Sequence, residues 1–176
     1  METPLTMPIN VFVSVGRPFS KVQEEFLSSI EGHLKREGYR PRTIGRTDFT
    51  HKKPLELIDD LMNRCAGAVV IAFERIAIET GFDRRGSAQQ VALTGQRIPT
   101  PWNQIESAFA YAKGLPILVI KEEGLRPEGL LEQGYDWYVH STPLTADFVT
   151  SAEFLGTFKS WDSEARKRAG WFKHRG

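Results

Sequence analysis

The chain has a single cysteine, Cys65, in 176 residues, which excludes an internal disulfide and is compatible with a reducing compartment. Cys65 stands in "LMNRCAGAVVIAF", where a small buried apolar role fits better than a reactive thiol. No apolar run approaches the roughly 18 residues of a membrane span. The opening "METPLTMPIN" has no basic region followed by a signal-type apolar stretch. The expectations are therefore a cytoplasmic protein and no membrane partner. Lys and Arg total 23 against 22 Asp and Glu, a formal net charge of +1. That balance exerts no global pull on nucleic acid, so no nucleic-acid partner is expected. No His, Cys and Asp cluster has metal-ligand spacing, and there is neither a GxGxxG fingerprint nor a Walker loop. Neither a metal nor a cofactor is expected. Internal repeats and low-complexity tracts are also missing.

What is present is the mixture of a globular domain, 40% hydrophobic and 26% charged. The length suits one domain. "INVFVSV" (Ile9 to Val15) reads as a strand ending at Gly16-Arg17-Pro18. From about Ser20 to Glu37, Phe26, Leu27, Ile30 and Leu34 recur at helical spacing, and Gly38 ends the pattern. "YRPRTI" reads as a second strand, with Pro41 pointing to a sheet edge. "PLELIDDLMNRC" is helical, and "GAVVIAF" (Gly67 to Phe73) has the continuous apolar character of a central parallel strand. Thr100 and Pro101 open another helix that runs to Gly114, followed by the strand "LPILVI". "YDWYVH" is expected as the fifth strand and Phe148, Phe154, Leu155, Phe158 and Trp161 as the apolar face of a closing helix.

Two stretches lack steady periodicity. About Ile76–Thr100 is expected to be a functional loop or lid with short helical pieces, and about Lys121–Gly134 a second irregular segment. The alternation elsewhere predicts an α/β fold: a doubly wound, flavodoxin-like five-stranded parallel sheet flanked by helices, in the order 2-1-3-4-5. The core covers about residues 8–142 and the closing helix about 146–170, within one domain. Ligands of such sheets bind beyond the carboxyl ends of the strands. That rule selects Gly16 to Ser20, Thr43 to Asp48, Glu74 and Arg75, the Trp102–Glu106 turn, Lys121 to Gly124, and His140.

Glu106 is the leading chemical candidate. On a helix from Pro101, the residues Ile105, Ala108, Phe109 and Ala112 form the expected buried stripe, with Glu106 at its border, one turn after Trp102. The helix dipole favours the ionised carboxylate there, while aromatic surroundings raise its pKa. Such a group can attack an anomeric carbon or stabilise an oxocarbenium-like cation. The same spacing also suits an ordinary acidic residue on a surface helix. In "SVGRPFS", Gly16 permits close backbone approach, Arg17 can bind phosphate or carboxylate, Phe19 offers a ring face, and Ser20 can cap the next helix. A plain strand-to-helix turn is the alternative. Glu74 falls where a doubly wound enzyme places an acid/base carboxylate or a ribose-hydroxyl acceptor. Trp102 and Asn103 complete the candidate substrate-binding set. Asp83, Arg84 and Arg85 read as solvated loop charge. His33 and His174 read as surface residues, and His51 and His140 lie closer to the cleft without a visible partner.

Three segments together, "GRPFSKVQEEFLSSIEGHLKREGYRP", "CAGAVVIAF" and "IESAFAYAKGLPILVI", resemble the nucleoside 2-deoxyribosyltransferase-like family, and more widely TIR-like domains. The resemblance covers roughly the first two-thirds of the chain. It implies that Glu106 is the nucleophile that displaces a base and holds a covalent ribosyl intermediate. By the same resemblance Gly16 to Phe19 help form the sugar and base pocket, and Glu74 stands where the family has an aspartate. "PTPWNQ" replaces the family's Asp-Ser-Gly-type approach to the glutamate helix, and "WFKHRG" lacks a terminal carboxylate; both point away from base exchange. The Trp102 to Glu106 spacing is similar to that of TIR domains, whose glutamate serves NAD glycohydrolysis or cyclisation. The expected function is thus an enzyme cleaving or transferring an N-glycosidic bond of a nucleotide or nucleoside, with NAD the leading substrate. A homo-oligomer is compatible with it. A non-catalytic nucleotide-sensing or protein-interaction module is the alternative.

Overall fold

A computed structural model describes residues 7–51, 53–134 and 137–173. Strand β1, Ile9–Val15, turns Val11 and Val13 to one face of the sheet and Phe12 to the other, so both faces demand cover. Helix α1, Lys21–Arg36, follows; the Ser20 hydroxyl accepts the Gln23 N–H at 3.2 Å as its cap. Strand β2, Tyr39–Arg42, pairs with β1 in parallel from Ile9↔Tyr39 to Phe12↔Arg42. Its Pro41 sits on an edge strand, where its missing N–H breaks no second ladder. After α2, Pro54–Met62, strand β3, Gly67–Ala72, is buried along its whole length and pairs with β1 on its other side. Expected strand 4 is β8, Ile117–Glu122, and expected strand 5 is β9, Val139–Thr142. The sheet is all parallel in the order β2-β1-β3-β8-β9, the doubly wound arrangement expected.

Helix α1 and the closing helix α4, Ala152–Lys173, cover one face with a core that includes Phe26, Leu27, Ile30, Phe154, Phe158 and Trp161. Trp161 lies close enough to β3 that a Cβ on Gly67 would come within 2.7 Å of its Cζ2. Its indole N–H donates to the Pro116 carbonyl at 3.0 Å. The opposite face carries α2 and α3, Pro101–Ala112, over Phe12, Ala68, Met62 and Cys65. Cys65 is buried and its thiol is pushed up to about 12 by burial, as its apolar setting requires.

Several expectations need correction. The stretch after β3 contains no short helices among its described residues. It folds into two small antiparallel ribbons, β4 (Ile76–Ile78) with β7 (Gln96–Ile98) and β5 (Phe82–Asp83) with β6 (Val91–Ala92). Its turn-forming glycines and absent 3.6-residue period favour nested hairpins. Lys121 and Glu122 belong to β8 rather than to an irregular segment, because they continue its pairing with Ser141 and Thr142. The fifth strand starts at Val139; Tyr135 and Asp136 of the expected run lie outside the described residues. The closing helix is preceded by a 3₁₀ turn, Ala146–Thr150, because the Ser151 hydroxyl accepts the Phe154 N–H at 3.2 Å and starts α4 afresh. His33 is not a surface residue: it is wedged edge-on against the Phe154 and Phe158 rings. His174 lies outside the described residues. No helix among the described residues is long and apolar enough to cross a membrane.

Candidate active site

Helix α3 meets the sheet with a polar face. Its buried residues are Asn103, Glu106, Ser107 and Ala110. The expected stripe is overturned: Ile105 is 37% exposed, Ala108 and Ala112 are exposed, and Phe109 is only partly buried. The reason is what the sheet offers at that point. Ser14, the one polar side chain in the buried part of β1, and two main-chain carbonyls present acceptors there. The Asn103 side-chain NH₂ donates to Ser14 Oγ at 3.1 Å and to the Ser14 and Ile71 carbonyls, each at 3.3 Å. The Ser107 hydroxyl donates back to the Asn103 carbonyl. A helix that satisfies these groups must turn positions i, i+3, i+4 and i+7 of its polar series inward.

Glu106 is carried inside by that rotation, not left at a border. It is 8% exposed, and burial pushes its carboxyl up to about 7 against a smaller downward pull from the Ser14 hydroxyl. The Ser14 hydroxyl, which accepts from Asn103, is the neighbouring group that draws the Glu106 pKa down. The start of α3 is fixed against β1 as well. Thr100 caps the helix by accepting the Trp102 N–H at 3.4 Å, and its methyl would lie 3.1 Å from a Cβ on Gly16.

Glu74 belongs to a second cluster, beyond the ends of β3 and β8. Arg97, on β7, pairs with Glu74 at 3.1 Å and Glu122 at 3.4 Å, and also donates to the Glu123 carbonyl. The Glu74 N–H donates to Glu122 at 2.8 Å. Gln23 joins this cluster to the first loop, donating to Glu122 and the Glu74 carbonyl and accepting the Phe19 N–H at 3.1 Å. The Arg97 ion pairs thereby fasten the ribbons onto the carboxyl end of the sheet. A second tie, from Arg126 to Asp83 at 3.1 Å, makes Asp83 part of the ribbons' attachment rather than a free solvated charge. Lys121 is buried beside them and donates to the Leu125 carbonyl at 3.1 Å; desolvation, with Arg97 nearby, lowers its pKa.

The predicted site residues thus fall into three neighbourhoods around the strand ends. Asn103 and Glu106 meet at Ser14, and Gly16 touches Thr100 beside them. Phe19, through its backbone, and Glu74 meet at Gln23. Arg17 lines a cavity on the β2 side, together with Gly16. Ser20 is occupied as the α1 cap, the Phe19 ring is 59% exposed, and Trp102 faces outward at 44% exposure. His51 is exposed. His140 is a core residue: it is 1% exposed, stands edge-on to Phe148, and sits 2.6 Å from the Thr157 hydroxyl. The sequence does not single out Ser14, Gln23 or Arg97, and it selects Glu122 only as part of the segment Lys121 to Gly124. Ser14 has a signal, a lone hydroxyl within an apolar strand; Arg97 has none, because only the ribbon brings it to Glu74. Among the described residues, no group of three or more His, Cys, Asp or Glu could hold a metal ion. No family model and no curated protein matches the chain.

Proposed function

We propose that the protein cleaves or transfers the N-glycosidic bond of a nucleotide, with Glu106 as the attacking or cation-stabilising carboxylate. The observation that carries this reading is a carboxyl group buried beside Ser14 where α3 meets the sheet, its pKa pushed up to about 7 by burial. A carboxylate stripped of water is a better nucleophile and a stronger electrostatic partner for a developing oxocarbenium ion. In the reaction a Glu106 oxygen bonds to the anomeric carbon as the bond to the base breaks, and the bonding pair leaves with the base. Water or a second acceptor then takes the sugar. Glu74, ion-paired with Arg97, is assigned as a ribose-hydroxyl acceptor rather than a proton donor.

That assignment leaves the described groups around Glu106 without a separate general acid. A leaving group that needs no proton therefore suits the site best. A pyridinium base meets the requirement, since it departs as a neutral molecule, and this supports NAD as the leading substrate. The resemblance to nucleoside 2-deoxyribosyltransferase-like and TIR-like proteins points the same way. The alternative, a nucleotide-sensing or protein-interaction module, draws on the outward apolar residues of α3, with Trp102 at 44% and Tyr111 at 58% exposure. Incubating the protein with NAD and a panel of nucleosides, then separating free base by chromatography, tests the proposal. Base release abolished by Glu106→Gln is the expected result. Nucleotide binding without base release from any substrate would favour the module.

A further inference from the structure

Two buried histidines that take no part in the chemistry assigned to Glu106 flank the start of α4. His33, near the end of α1, is 7% exposed and stands edge-on to the Phe154 and Phe158 rings, 5.1 and 4.5 Å away between centres. Its Nε2 is buried without a hydrogen-bond partner. Two charges act on it, an attractive Glu37 and a repulsive Arg36, both at the end of its own helix. What α4 sets against it is the pair of phenylalanine rings, and no ion pair joins His33 to α4 among the described residues. A neutral imidazole sits there at the cost of one unmade hydrogen bond. An imidazolium loses its hydration without gaining a counter-ion from α4, and attraction to the ring faces returns only part of that loss. Burial accordingly lowers the His33 pKa, ahead of the pull from Glu37.

His140, on β9, is placed differently. The Thr157 hydroxyl donates to the Glu153 and Phe154 carbonyls, at 3.0 Å each, so at 2.6 Å it accepts from His140 Nε2. Nδ1 is then the basic nitrogen. It lies 3.4 Å from Glu153 Oε1, which also accepts the Tyr138 hydroxyl at 2.6 Å. A proton arriving at His140 therefore meets a carboxylate of α4 itself. Burial lowers the His140 pKa as well, but Glu153 pulls the other way. The two histidines thus bracket Phe154, one with a counter-ion in reach and one without.

We propose that His33 is an acid-sensitive trigger whose protonation releases the start of α4, about residues 153–158, from α1, with His140 and Glu153 as the pivot. The docked helix favours neutral His33. Docking is therefore at full strength above the free imidazole value of 6.5 and weakens as pH falls through it. The rest of α4 is fastened by groups other than histidine: Trp161 to the Pro116 carbonyl, Tyr39 to Asp162 at 2.6 Å, and Arg166 to the Glu37 carbonyl at 2.7 Å. On the opposite face of the sheet Glu106 responds with the opposite sign. Its raised carboxyl makes the docking of α3 stronger as pH falls from about 7 to 4.5. Acid thus weakens one face of the sheet and strengthens the other, which confines the change to α4. None of this requires the glycosidic reading.

Hydrogen exchange of the whole chain at about pH 7.5 and about pH 5.5, with each amide corrected for its intrinsic rate, reads the release. Protection over residues 154–158 should fall several-fold at the lower pH, up to about tenfold for one histidine that takes up a proton only when released. Protection in β3 should not fall with it. His33→Phe keeps the aromatic packing without a titrating nitrogen and should abolish the fall, whereas His140→Gln should retain it. Thermal unfolding of each variant near neutral pH checks the fold. The ring titration of His33 in the wild type, followed by NMR, needs no variant, and its midpoint should lie below 6.5. The proposal is overturned by a fall of less than about twofold in the wild type or an equal fall in β3. A fall preserved in His33→Phe or lost in His140→Gln, or a His33 midpoint at or above 6.5, overturns it as well.

Discussion

Replacing Glu106 by Gln should stabilise the protein while it abolishes base release, and the stabilisation should depend on pH. The carboxyl is raised from 4.5 to about 7 because its ionised form is desolvated. Between those values the folded chain holds a proton that the unfolded chain has released, so wild-type stability falls as pH rises through that window. At about 1.4 kcal/mol per unit, the accumulated loss is roughly 3 kcal/mol once pH exceeds the folded value. The amide that Glu106→Gln introduces does not ionise and can still accept from the Ser14 hydroxyl. The gap between variant and wild type should be close to zero near pH 4, open between about pH 5 and 7, and level off above about pH 8. For a chain of this size, roughly 3 kcal/mol corresponds to about 6–12 °C in Tm. Thermal and urea unfolding of both proteins across that range, followed by tryptophan fluorescence, reads the gap directly. Shifts common to other carboxylates cancel in the difference. A gap that is the same at every pH, or a variant less stable than wild type above pH 8, would refute the reasoning that desolvation dominates at Glu106.

Ser14→Ala removes the hydroxyl that pulls the Glu106 pKa down, so the carboxyl should titrate higher than in wild type, a shift that carbon-detected NMR of labelled glutamate can follow. Gly67→Ala would press a methyl to 2.7 Å from Trp161 and should lose about 1–3 kcal/mol by urea unfolding. Gly156→Ala, on the same helix as Trp161 but with nothing within 4 Å, should gain up to about 1 kcal/mol. Arg97→Gln removes the cation shared by Glu74 and Glu122, and amide exchange in β4 and β7 should rise while β3 stays protected; exchange unaltered in the ribbons would mean that Arg97 is not their fastening.

The sheet is legible in the sequence because its code is local. The apolar runs of β1 and β3, the Ser20 and Thr100 caps and the edge Pro41 each carry their meaning within a few residues. The ribbons are not, since strands of two or three residues leave no periodic trace and their pairing depends on turns. The facing of α3 is hidden for a different reason. Its apolar residues lie at helical spacing and invite burial, yet the sheet offers that helix a hydroxyl and two carbonyls. Those acceptors come into view only once β1 and β3 are side by side.

The facing of α3 bears on function. A helix docked by Ile105 and Phe109 would have left Glu106 half in solvent, with a carboxyl near its ordinary value. Docking by Asn103 and Ser107 buries the carboxylate instead, and the outward apolar face is left behind as a consequence. Sequences that keep polar residues at the inward positions of such a helix sacrifice apolar burial for a desolvated ionisable group. Replacing Asn103 by Leu probes that trade. Leu fills similar space but strips the Ser14 and Ile71 carbonyls of their donor. Unsatisfied buried carbonyls cost about 1–3 kcal/mol each. The variant should therefore lose stability despite its greater apolarity, and its loss should persist near pH 4, where the Glu106 penalty has vanished. A variant as stable as wild type at low pH would mean that packing, rather than hydrogen bonding, orients α3.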